Sequence, residues 1–144
     1  MGDAAFFLAG AAPPAPLPAG VEQPETVRAL TEKRWEVLAL SSAGCRLLAD
    51  APEAVCACGT VLLPSDWSCL TARQVRAERV VSCGLSSRDS LTFSSMGDGN
   101  AVVCVQRVLI RPDGGQVEPQ ELPLGCRGSQ TEALLAVIGL GLLL

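Results

Sequence analysis

The sequence predicts a mainly β fold built from short strands, an antiparallel barrel or sandwich. Three observations point to it. Apolar and β-branched runs recur between residues 35 and 110. Groups of Pro, Gly, Asp, Ser and Asn stand between those runs as turn signals. The chain has 144 residues, which suits one small domain with tails.

The elements follow in order. Thr26 is placed to cap one or two helical turns that end near Arg34. Trp35-Glu36-Val37-Leu38-Ala39-Leu40 reads as the first strand. Residues 59–63 (GTVLL) form the second, stopped by Pro64-Ser65-Asp66. Val80-Val81-Ser82-Cys83 is the third. Ser90-Leu91-Thr92-Phe93 is a fourth, ended by Gly97-Asp98-Gly99-Asn100. Residues 101–110 (AVVCVQRVLI) make the longest and most β-branched run, closed by Arg111-Pro112-Asp113-Gly114-Gly115.

The two ends differ from this middle. Residues 4–12 (AAFFLAGAA) form a short apolar run. A signal-peptide core is one reading, opposed by Asp3 and by the lack of Lys or Arg ahead of it; a disordered start is preferred. Residues 11–24 are rich in Ala and Pro and read as an extended linker. Residues 133–144 (ALLAVIGLGLLL) are uninterruptedly apolar, yet shorter than the ~20 residues a spanning helix needs. A buried helix, the stump of a membrane segment and the tail of a lipid-anchor signal compete there. Gly125, Gly128 and Ser129 supply small residues for the last, although the polar spacer is shorter than usual. Membrane association through this tail is therefore one expectation.

Composition narrows the function. Hydrophobic residues make up 49% and aromatic residues 3%, so Trp35 and Trp67 are scarce large anchors. Net charge is −4 and no Lys/Arg cluster could track a phosphate backbone, so no nucleic-acid partner is expected. The chain has no histidine, which removes the commonest general base and zinc ligand. Its cysteines are Cys45, Cys56, Cys58, Cys69, Cys83, Cys104 and Cys126. They read equally well as an extracellular disulfide set with one left over, or as reduced core hydrophobes.

Cys56-Ala57-Cys58 is tighter than the usual zinc or redox spacing. Cys69 lies near Arg73 in sequence, but core or disulfide use is the better reading than a nucleophile. Gly97-Asp98-Gly99-Asn100 lacks the further acids of a calcium loop. No phosphate-cradling glycine loop is present, and no cofactor or metal is expected.

One stretch resembles a known family. Residues 58–67 (CGTVLLPSDW), followed by Leu70-Thr71-Ala72, are similar to the strand–turn–Trp segment and Leu-Thr-Ala run of trypsin-like serine proteases. Trp35-Glu36-Val37-Leu38-Ala39-Leu40 resembles that family's opening strand. Val80-Val81-Ser82-Cys83-Gly84 and residues 102–112 (VVCVQRVLIRP) resemble two later ones. The resemblance covers about residues 35–114. It implies part of a six-stranded antiparallel barrel, the N-terminal one of the family's two.

It also implies an inactive one. Gln74 stands where the family has its general-base His, and an amide cannot take a proton from a serine hydroxyl. Val75 replaces the Cys that would bond to Cys58. The Asp segment, the Gly-Asp-Ser-Gly-Gly motif and the Ile-Val-Gly-Gly start are missing. The expected organisation is a disordered leader and linker over 1–34, a trypsin-like half-domain over 35–115, and a linker with an apolar helical tail over 116–144.

The expected function is a non-catalytic, protease-like module with a protein partner. It would be a pseudoprotease or a piece of a larger secreted or membrane-attached protease. The alternative is an intracellular β-rich interaction domain with reduced cysteines. A lone half-barrel would leave an apolar face in solvent, so low stability or reliance on a partner is expected.

Overall fold

The computed structural model describes residues 3–96, 101–124 and 132–144. The strands are β1 (Ala4–Phe7), β2 (Val21–Glu22), β3 (Trp35–Leu40), β4 (Cys56–Pro64), β5 (Val75–Cys83), β6 (Leu91–Met96), β7 (Ala101–Val105), β8 (Leu109–Ile110), β9 (Gln116–Val117) and β10 (Gln120–Leu124). The helices are α1 (Val27–Thr31), α2 (Ser42–Ala49) and α3 (Glu132–Leu143), with a 3₁₀ segment at Ser65–Ala72. The mainly β expectation and the C-terminal helix both stand.

The antiparallel barrel does not. Eight strands form one open mixed sheet in the order β10-β7-β6-β5-β4-β3-β1-β2, and β8 pairs with β9 as a separate hairpin. From β2 across to β6 every pairing is parallel, including Trp35↔Cys58 and Val61↔Val80. Among the described strands, the antiparallel pairs are β6–β7, β7–β10 and β8–β9. The strands that hold the protease-like segments 35–40, 58–67 and 80–84, namely β3, β4 and β5, are thus side-by-side parallel neighbours. Parallel strands need a crossover over one face, and α2 and the 3₁₀ segment supply it. The strand sequences carry the same message. WEVLAL and CACGTVLLP are near-continuously apolar, as strands covered on both faces are.

α2 forms because Ser41 caps it. The Ser41 hydroxyl accepts the Gly44 N–H at 3.0 Å, and Cys45 and Leu48 turn one face to the core. Gly44 is required by proximity. A Cβ there would collide with the Phe7 carbonyl oxygen at the end of β1. That same oxygen accepts the Ser41 N–H at 3.2 Å and its hydroxyl at 3.3 Å. α1 begins at the expected cap, with the Ala29 N–H donating to Thr26 Oγ1 at 3.1 Å.

Two cores flank the sheet. One holds Phe7, Leu38, Leu40, Val61 and Leu63 with Cys45 and Leu48 of α2 and Leu70 of the 3₁₀ segment. The other holds Phe6, Val37, Ala39, Leu62, Val81, Leu91, Val103 and Val105 with Leu135 and Leu140 of α3. Phe6 and Phe7 divide between them as strand alternation requires. Cys56 and Cys58 share a cluster with Val61 and Leu63, although strict alternation would separate them. The break falls around Gly59, where a Cβ would lie 2.8 Å from Glu36 O.

The ends of the chain are built in. Residues 4–8 are buried, so β1 is a strand inside the sheet and not a disordered leader. Its start is tied down by Lys33, whose Nζ lies 3.1 Å from Asp3 and 2.9 Å from Glu22. Ala15 and Leu17 of the Ala/Pro-rich stretch pack against the α3 core, as do Leu109 and Val117 of the hairpin. That stretch is therefore a cover and not a free linker. Residues on several sides of α3 are buried: Leu134, Leu135, Ala136, Val137, Leu140 and Leu143. No helix among the described residues is long and apolar enough to cross a membrane.

The predicted strand 101–110 is split. Gln106 leaves the ladder, its N–H donating to Ser90 O at 2.9 Å. The turn at 111–115 is present, with Arg111 N–H donating to Gly115 O at 2.7 Å and Gly114 at φ 90°. The turn read at 97–100 lies outside the described residues.

Candidate functional site

In open sheets with parallel strands, polar groups that can meet a ligand collect where strands end and loops begin, at the carboxyl edge. Here that edge is set by Leu40 of β3, Pro64 of β4 and Cys83 of β5, which hand over to Ser41, Ser65 and Gly84.

Gly84 has no room for a side chain. A Cβ would meet the Asp89 carboxylate, and would lie 2.6 Å from the Ser65 hydroxyl. A hydroxyl and a carboxylate therefore converge on one backbone position. The loop that carries Asp89 is fixed from three sides. Asp89 Oδ2 accepts the Ser86 N–H at 3.0 Å. Gln106 Nε2 donates to Asp89 O at 2.7 Å and to Ser86 O at 3.1 Å. Ser82 and Ser90 exchange N–H to hydroxyl bonds at 3.0 and 3.4 Å. Asp89 is 2% exposed.

Glu132 arrives at the same edge as the first residue of α3. Burial, and then the charges of Asp66 and Asp89, push its carboxyl above the usual carboxylate range; a hydrogen bond with Ser42 opposes them. Beneath lies Cys83, whose thiol is pushed far up by burial and further by Asp89 and Glu132. Among the described residues no ion pair involves Asp66, Asp89 or Glu132. The edge can accept hydrogen bonds and positive charge.

Apart from Cys83, the described residues singled out from sequence lie elsewhere. Gln74 is buried just before β5. Its Nε2 donates to Leu48 O at 2.7 Å, Ala51 O at 2.8 Å and Ala54 O at 3.1 Å. It ties the end of α2 to the start of β4. Cys56, Cys58, Cys83 and Cys104 stand as thiols, and Cys45 is buried with them. Cys45, Cys56 and Cys58 belong to one core and Cys83 to the other, while Cys104 is half-buried on β7. Burial pushes the Cys56 thiol up to about 11. It pushes Cys58 up to about 12, with Cys56 adding and Arg34 opposing. The side chain of Cys69, and Cys126, Gly125, Gly128 and Ser129 with it, lie outside the described residues. No group of three or more metal-ligating side chains is present among the described residues.

Sequence reasoning passed over Ser65, Asp66, Gly84, Asp89 and Glu132. The signal was Pro64-Ser65-Asp66 following a largely buried strand, which marks a carboxyl edge once the strands are known to be parallel. At the opposite, amino edge a cleft of about 720 Å³ is lined by Asp3, Ala4, Glu36, Asp113, Leu143 and others. Comparison with protein-family models, curated proteins and solved structures gives no match for this chain.

Proposed function

We propose that this chain is a non-catalytic protein-interaction domain that works with its cysteines reduced, in a reducing compartment. The observation that carries the reading is the use of Cys45, Cys56, Cys58 and Cys83 as core side chains on both faces of the sheet. Thiols held protonated by burial are poor nucleophiles and poor metal ligands. Gln74 supports the same reading, because its amide NH2 is engaged with the backbone carbonyls of Leu48, Ala51 and Ala54. The partner-binding surface in this proposal is the carboxyl edge, where Leu85 is 66% exposed on the loop that carries Asp89.

A non-catalytic piece of a trypsin-like protease would share the lack of hydrolysis but would carry cystines. Thiol counting on denatured, non-reduced protein separates the two. Seven thiols are expected, and a count below five would overturn the reduced reading. The interaction surface is tested by crosslinking in cells with wild type, Leu85→Asp and Val55→Asp. Crosslinked species lost only with Leu85→Asp support the proposal, and an unchanged pattern overturns it.

A further inference from the structure

We draw no further inference here: the strongest candidate, the carboxylate and hydroxyl cluster of Ser65, Asp66, Asp89 and Glu132 at the carboxyl edge of the parallel strands, belongs to the site already described and is an acidic cluster with no second observation that points to a ligand.

Discussion

Replacing Gly44 with Ala tests the packing of α2 on the sheet. The new methyl would meet the Phe7 carbonyl oxygen, a backbone atom that cannot swing away as a side-chain end could. Overpacking of this kind costs about 1–3 kcal/mol. Moving α2 outward would weaken the two hydrogen bonds from Ser41 to Phe7 O, each worth about 0.5–1.5 kcal/mol. Alanine's better helix propensity returns at most about 1 kcal/mol. The net expectation is a loss of about 1–4 kcal/mol. Gly141 is the internal control. It lies on the exposed side of α3, and a Cβ there meets nothing within 4 Å. Gly141→Ala should therefore gain up to about 1 kcal/mol. Urea unfolding of both variants, followed by circular dichroism, reads the pair. If Gly44→Ala matches or exceeds wild type, the close approach of α2 to β1 is wrong.

Further outcomes follow from single residues. Gln74→Glu keeps the shape but turns an acceptor toward three carbonyls, so it should destabilise the fold more than Gln74→Ala at pH 7. Its carboxyl would be raised in the folded state, so the deficit should shrink on acidification; a pH-independent deficit would count against the geometry. The raised thiols of Cys56 and Cys58 mean the unfolded chain releases their protons first. Stability should be flat below the ordinary thiol range and fall above about pH 9, by about 1.4 kcal/mol per pH unit per thiol, up to their folded values of about 11 and about 12. The double variant Cys56→Ser, Cys58→Ser should lose those two thiols' share of the alkaline slope in unfolding curves collected between pH 8 and 11, leaving the share of Cys83. Glu132→Gln removes a carboxylate crowded by Asp66 and Asp89 and should raise the midpoint of thermal unfolding at pH 7. Deleting residues 133–144 uncovers Leu62, Leu91 and Val103, so the shortened chain should sediment as aggregates or lose its cooperative melt.

Much of the local structure was legible in the sequence. Thr26 announced α1, residues 35–40 and 80–83 announced strands, and Arg111-Pro112-Asp113-Gly114-Gly115 announced a turn. Those signals are local: a capping hydroxyl, a β-branched run, a glycine that accepts positive φ. The uninterrupted apolarity of residues 133–144 left a buried helix, a membrane stump and a lipid-anchor tail as competing readings, and the structure has a C-terminal helix, α3, with buried residues on several sides.

What only the tertiary structure decided is how the strands pair. A continuous apolar run marks a strand covered on both faces, but which strand it pairs with, and in which direction, rests on whether the intervening segment crosses over a face. Ser41 to Ala49 is that crossover, but a short stretch with a central glycine gives little helical signal until β1 is beside it. The candidate site inherits the same dependence. Ser65, the loop from Gly84 to Asp89 and Glu132 are far apart in sequence, and parallel pairing brings the ends of β4 and β5 to one edge. Gln74 shows the limit from the other side. Its amide type was plain in the sequence, but three backbone carbonyls from a distant helix end decide its role, and no local pattern encodes them.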